Sequence, residues 1–362
     1  MRRLLCAISS VVLVLSIASC SSAEREPDEA LPSTTDDRLA AAFDVLEREM
    51  APVIVAFSQD GAPAVVREFG ALRDDAVAPE KSLVDIGSIT KTVTAVAVSK
   101  LVEQSGVRFD ETLSDIFHEV PSDKEMITVE QLLTHAGGFT ESVDDDAEEI
   151  NRDEFLQRAF ASPLVETPGT QYAYSNVGYS ILAAIIEVRS GRSYEQYLRD
   201  EVLAPAGLDS IGYLSSYDDG RSLRSTEGKG VIDASWGGHD ASWHLIGNGG
   251  LVTTAENFIG FLQTVFKGKI LSKSSVEQLL HPHIAEDASG ASFYGYGLVV
   301  QDIPDIGRFY WHDGGNDVFS AEWSVYADHD DVIFVAGRET FPGASTASEA
   351  MSVLRDHLYG GR

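Results

Sequence analysis

Ser88 and Lys91 stand three residues apart in the run Asp85-Ile86-Gly87-Ser88-Ile89-Thr90-Lys91-Thr92-Val93, where a turn of small residues opens an apolar helical pattern. On a helix, positions i and i+3 share a face about one turn apart, so the Ser88 hydroxyl and the Lys91 amine can meet. A serine hydroxyl is a weak nucleophile until a base takes its proton, and a partly desolvated lysine can be neutral enough to do so. The first turn of a helix adds free N–H groups and a partial positive charge, both suited to an alkoxide and an oxyanion. Serine and lysine meet at this spacing by chance in many chains, so their company decides the reading.

Two segments supply that company. Pro168-Gly169-Thr170-Gln171-Tyr172-Ala173-Tyr174-Ser175-Asn176 is a turn-rich loop running into a helix, with a tyrosine two residues before an asparagine. A phenol can shuttle protons when its surroundings tune it. Trp311-His312-Asp313-Gly314-Gly315 brings a strand to an open glycine edge, which leaves backbone N–H groups for a ligand.

The elements that must position these groups follow from hydrophobic periodicity. Asp36 and Asp37 can cap a helix whose apolar residues Leu39, Phe43, Leu46 and Met50 recur at helical spacing up to Pro52. Valine-rich runs over 53–57 and 64–69, joined by Gln59-Asp60-Gly61-Ala62, read as an antiparallel hairpin. The helix opening at Ser88 is apolar on most faces until Ser105-Gly106, which predicts burial between layers and a rigid first turn. Helical pieces over 113–117, 129–134, 153–160, 176–190 and 194–203 make a mostly helical lobe. Helices over 253–266 and 274–280 come next, then strands over 294–300, 308–312, 321–326 and 332–337, and a closing helix over 348–358. Val332-Ile333-Phe334-Val335 is continuously apolar, as a central strand covered on both faces should be. Strands at both ends with helices between them predict an α/β (α+β) fold: one antiparallel sheet flanked by helices, with the helical lobe inserted.

The 362 residues carry a formal charge of −30, which repels nucleic acid and anionic headgroups and excludes partners of that kind. Only eight of the 27 basic residues are lysines, so one inside an apolar helix stands out. No Walker loop, dinucleotide fingerprint, His-Glu-x-x-His or Gly-x-Ser-x-Gly elbow is present. His281-Pro282-His283 has no further ligands nearby in sequence to complete a zinc set, and Asp144-Asp145-Asp146 with Glu148-Glu149 lacks the glycine and spacing of a calcium loop. No metal and no cofactor are expected. His135 reads as a residue that orders its loop, and Tyr172, Trp236, Trp243 and Tyr296 as core.

Met1-Arg2-Arg3, an apolar run over 4–17 and Ala18-Ser19-Cys20 read as a secretory signal over 1–19, too short to stay as a membrane span. Ile17-Ala18-Ser19-Cys20 resembles the bacterial lipobox, which makes Cys20 a lipidated mature N-terminus and 20–35 a polar tether. Cys6 leaves with the signal, so no disulfide forms within the mature chain. The expected product is exported across the inner membrane and held at the cell envelope by its lipid alone, with one catalytic unit over 36–362 and a helical lobe about 107–243.

Taken together, these motifs resemble the serine β-lactamase and penicillin-binding group, in particular its branch of class C β-lactamases, D-stereospecific peptidases and esterases. Ser88-Ile89-Thr90-Lys91 is similar to the first motif, Ser-x-x-Lys; Tyr174-Ser175-Asn176 to the second, Tyr-x-Asn; His312-Asp313-Gly314 to the third, Lys-Thr-Gly or His-x-Gly. Ile127 to Gly138 and Gly249 to Glu256 also look like segments of that group. The resemblance implies that Ser88 attacks an acyl carbonyl while Lys91 and Tyr174 handle its proton, with Tyr174 as a phenolate or in a shared hydrogen bond. It implies further that Asn176 binds the amide side of the substrate and helps orient Lys91, and that the backbone N–H groups of Ser88 and Gly315 form the oxyanion hole. His312, Asp313 and Gly314 then belong to the substrate-binding edge.

The third motif departs from Lys-Thr-Gly: an imidazole beside a carboxylate replaces a permanent cation that would serve a substrate carboxylate. If the Asp313 side chain faces the pocket, like charge disfavours an anion there. The expected activity is therefore that of an esterase or amidase on neutral or cationic small-molecule or peptide acyl substrates. A D-alanyl-D-alanine carboxypeptidase or β-lactamase is the alternative should Asp313 face solvent, and a non-catalytic penicillin-binding sensor lipoprotein is a second.

Overall fold

The computed structural model describes residues 34–49, 52–70, 79–236, 238, 241–339 and 345–360. The expected signal, Cys20 and nearly all of the tether lie outside these residues. Helix α1 (Thr35–Glu49) leads into the hairpin β1 (Val53–Gln59) and β2 (Val65–Phe69), then β3 (Leu83–Asp85) and α2 (Thr90–Glu103). The helical lobe holds α3 (Leu113–Ile116), α4 (Val129–Leu133), α5 (Arg152–Ala161), α6 (Asn176–Ser190), α7 (Tyr194–Tyr197), the short strand β4 (Ile211–Gly212) and α8 (Val231–Ser235). The chain then returns through β5 (Val252–Thr254), α9 (Ala255–Phe266), α10 (Lys273–Leu279), the strands β6 (Ile284–Ala285), β7 (Ser292–Tyr294), β8 (Val299–Ile303), β9 (Gly307–Gly315), β10 (Phe319–Tyr326) and β11 (Asp331–Arg338), and ends in α11 (Thr346–Tyr359).

Strands from the two ends share one eight-stranded sheet, ordered β2-β1-β11-β10-β9-β8-β7-β6. Antiparallel pairing sets Val55 opposite Val335 on β1 and β11, and Trp323 opposite His312 on β10 and β9. Side chains alternate across a strand, so β11 feeds two cores. Ile333 and Val335 pack with α1 and α11, while Phe334 and Ala336 pack on the side of α2 and α9. This double cover is why the Val332 to Val335 run carries no polar face. On the second side α2 is buried along almost its whole length, Lys91 included.

Two expectations change. The apolar stretch over 294–300 is not one strand: β7 ends at Tyr294 and β8 begins at Val299, and between them Gly297 takes a left-handed φ of 70°. There a side chain would collide with the Lys91 carbonyl and Ala95, so only glycine lets this turn sit on α2. The helix expected from Thr253 begins at Ala255, because Val252–Thr254 pairs with β3 and β4 in a three-stranded sheet. Among the described residues no helix is long and apolar enough to cross a membrane.

Candidate active site

Ser88 sits on a 3₁₀ turn, Gly87–Ile89, that flows directly into α2. It is the half-buried residue of an otherwise buried segment, so its hydroxyl is presented to solvent from a rigid base. Lys91 Nζ lies 2.9 Å from Ser88 Oγ and donates to the Asn248 carbonyl at 2.9 Å. The Tyr174 hydroxyl donates to Ser88 Oγ at 2.8 Å. The alcohol, amine and phenol singled out in the sequence therefore converge on one oxygen.

Burial sets the protonation of this group. Desolvation lowers the Lys91 pKa to about 7, and it prevails over the carboxylates of Asp146, Asp313 and Glu141, which act in the opposite direction. Burial pushes the Tyr174 phenol well above its usual range, with Asp313 and Glu141 adding to the rise. The phenolate that the resemblance implied is thus disfavoured. With the amine titrating at about 7, a large share of it is neutral at neutral pH, beside a phenol that keeps its proton.

The Tyr174 loop is held by His135. Its carbonyl accepts the Ala173 N–H at 2.8 Å and its Nδ1 accepts the Ser175 N–H at 3.0 Å, which brackets the tyrosine from both sides. Ser175 in turn caps α6 by accepting the Gly178 N–H at 3.0 Å. Four tyrosine rings, Tyr172, Tyr174, Tyr179 and Tyr294, lie around the His135 ring at centroid distances of 4.5–5.5 Å. An apolar cage of this kind keeps the imidazole neutral, and burial holds its pKa well below the usual value.

On the opposite wall, β9 abuts the Ser88 turn. A side chain on Gly314 would collide with the Ile86 carbonyl and the amides of Ser88 and Ile89, and one on Gly87 would strike the amide of Gly315. Gly87 also holds a left-handed φ of 46°. Two glycines at one crossing let the backbone at Gly315 approach the Ser88 turn closely.

For three of the proposed site residues the structure changes part of the expectation. Asn176 does not bond Lys91: its Oδ1 is buried without a hydrogen-bond partner, and the Asn248 carbonyl has the orienting place. His312 is 3% exposed and its Nε2 bonds the Tyr294 hydroxyl at 3.0 Å, so its ring is engaged behind the site rather than offered to a substrate. Desolvation lowers its pKa to about 4, which leaves the third motif with no cation. The Asp313 side chain is 62% exposed. Strand alternation explains this: Asp313 shares a face with its partner Glu322, whose carboxylate bonds Ser348 on α11, whereas Gly314 faces Ser88.

Sequence reasoning gave no role to Asp85 or Asn248. Asp85 had a visible signal, an acid closing an apolar strand just before the glycine of the nucleophile turn. Among the described residues, Asp144, Glu148 and His244 are spaced as metal ligands could be, yet Arg158 bonds both carboxylates at 2.7 and 2.8 Å and already offsets their charge. His283 stacks on Tyr296 at 4.2 Å and bonds the Gln278 carbonyl.

A family model described as Beta-lactamase matches residues 36–355. Of two penicillin-binding proteins of Bacillus subtilis (strain 168), the chain spans only 53% and 61% of the length; the second, penicillin-binding protein 4*, is 24% identical over 290 residues, 71% of this chain. D-alanyl-D-alanine-carboxypeptidase/endopeptidase AmpH of Escherichia coli (strain K12) is 26% identical over 310 residues, 82% of this chain and 77% of its own. In fold, the chain is similar to the D-amino acid amidase from Ochrobactrum anthropi SV3, with a TM-score of 0.75 over 90% of this chain and 99% of that one, at 18% identity.

Proposed function

The chain belongs to the beta-lactamase family, and from that premise we propose that it is a serine acyl hydrolase working through a covalent acyl-enzyme on ester or amide substrates. The observation that carries this reading is the Ser88 hydroxyl between the Lys91 amine and the Tyr174 phenol, at 2.9 and 2.8 Å. Ser88 Oγ attacks the acyl carbon and its proton passes to neutral Lys91. Negative charge then grows on the acyl oxygen, within reach of the Ser88 and Gly315 amides. When the carbon–leaving-group bond breaks, the leaving atom takes the Tyr174 proton, and the Lys91 ammonium restores it. Water attacks the resulting ester with the same groups returning Ser88 to its alcohol.

Neutral or cationic substrates suit this cleft better than anions. The third motif holds an uncharged imidazole, and the carboxylates of Asp146 and Glu141, which act on Lys91, add negative charge beside the reacting groups. The exposure of Asp313 removes the argument from one packed carboxylate and supports a second reading, a D-alanyl peptidase such as AmpH is named to be. The persistence of all three reacting groups favours an enzyme over a silent binding lipoprotein.

One experiment separates these readings. A fluorophosphonate should add to the protein, with peptide mapping assigning the adduct to Ser88. In a panel of a nitrophenyl ester, an aminoacyl amide, a D-alanyl peptide and a chromogenic cephalosporin, the ester and the amide should be turned over fastest. Absence of a Ser88 adduct would defeat the hydrolase reading, and efficient cephalosporin hydrolysis would defeat the charge argument. We also propose export and anchoring through Cys20, supported by the leader residues alone. Cells fed a labelled fatty acid should label the wild type and not Cys20→Ala; equal labelling would refute the anchor.

A further inference from the structure

We propose that Asp85 is a positioning residue that sets the spacing of the two oxyanion donors by tying the Ser88 turn to the β9–β10 turn. This inference rests on the hydrolase reading above. Asp85 ends β3 and is 2% exposed. Its Oδ1 accepts the Gly87 N–H at 2.9 Å, one residue before the Ser88 amide. Its Oδ2 accepts the Asn316 Nδ2 at 3.1 Å, one residue after the Gly315 amide. The Trp236 indole donates to the same carboxyl.

Asn316 is itself fixed. Its Oδ1 accepts the Val318 and Phe319 N–H groups at 2.9 and 3.0 Å, and its N–H donates to the Phe319 carbonyl at 2.9 Å. The carboxylate therefore joins two rigid turns, each one residue from a donor. A buried carboxylate is costly, and here three N–H donors offset only part of that cost, since desolvation prevails and raises the Asp85 pKa to about 6. A hydrophobic residue could fill the same volume but could not set a distance between two amides. An oxyanion hole works only when its donors stand where charge develops, so a shift of one turn against the other is paid in the transition state and not in substrate binding.

Asp85→Asn keeps an oxygen for Gly87 and turns the other end into a donor facing the Asn316 donor. Asn316→Asp keeps the oxygen that serves Val318 and Phe319, loses the donor facing Asp85 and sets a second carboxylate against it. Each single change breaks the tie; the double variant again sets a donor against an acceptor, with the polarity reversed. The experiment measures the acylation rate constant and the substrate dissociation constant with a nitrophenyl ester, alongside the melting temperature. Each single variant should acylate about tenfold to a hundredfold more slowly, in line with partial loss of an oxyanion donor, with substrate affinity within about twofold. The double variant should recover most of the rate. Single variants that are folded and acylate at the wild-type rate, or a double variant no better than either single, would overturn the inference while leaving the hydrolase reading intact. If Asp85→Asn does not fold, Asn316→Asp alone decides by the same split between rate and affinity. A wild type that never acylates Ser88 overturns both.

Discussion

Replacing Lys91 with methionine is expected to lower kcat/KM for an activated ester by about a thousandfold or more, the range over which a positioned general base acts. Methionine keeps the unbranched, buried stem and removes only the amine, so the fold should survive. Arginine in its place should be as inactive, because a guanidinium does not give up its proton in a protein. In the wild type the active form is the neutral amine, and burial lowers its pKa to about 7. The rate should therefore rise with pH through about 7, level off above it, and fall tenfold per unit below it. Removing a carboxylate that favours the ammonium, as in Asp146→Asn, should move this limb toward acid, since Asp146 is the first of the charges that raise the Lys91 pKa. A flat profile in the wild type, or a Lys91→Met enzyme of undiminished rate, would assign the base to another group.

The same numbers divide the labour between the two proton carriers. Tyr174 and Lys91 both touch Ser88 Oγ, yet burial drives their pKa values apart, the phenol upward and the amine downward. A pair so separated cannot both be bases. On the proposed mechanism the amine starts the reaction and the phenol completes it, and the Asn248 carbonyl is placed to accept from the ammonium in between.

Much of this was legible in the chain. β1 and β11 announce themselves as apolar runs because each is covered on both faces, and α2 because its apolar residues leave no polar stripe. The hairpin at Gly297 was hidden, since Tyr294, Tyr296, Leu298 and Val300 keep a strand's alternation straight through the turn. The small sheet was invisible for another reason: three residues of β3 and three of β5 are too few to carry a period. At the site, the spacing of Ser88 and Lys91 fixes their meeting because a helical turn intervenes, while Asn176 depends on a resemblance rather than on local geometry. Its Oδ1 is without a partner, and a backbone carbonyl, which no sequence motif can display, holds the amine. Asp313 could have been read from alternation alone: on a strand with Gly314 against Ser88, its neighbour must look the other way.

That crossing of glycines yields the second large effect. Gly314→Ala is expected to reduce acylation by a hundredfold or more while leaving the Ser88, Lys91 and Tyr174 contacts in place. The added methyl would meet the Ile86 carbonyl and the amides of Ser88 and Ile89, all of them backbone, so nothing at that spot can yield by turning a side chain. Relief requires β9 to withdraw from the nucleophile turn, which separates the Gly315 amide from the Ser88 amide. Loss of one such donor costs on the order of 10²–10³ in rate, and forcing a methyl into packed backbone costs about 1–3 kcal/mol of stability. The two penalties separate in the measurement. Urea unfolding should show a folded protein with a lowered midpoint, and the acylation rate should fall much further than substrate affinity. Gly315→Ala meets the Phe319 carbonyl and Ser320 on the neighbouring strand instead, and it gauges how much a methyl on this edge costs away from the nucleophile turn. A Gly314→Ala enzyme that acylates as fast as the wild type would mean that charge on the acyl oxygen is met somewhere other than at this pair of amides.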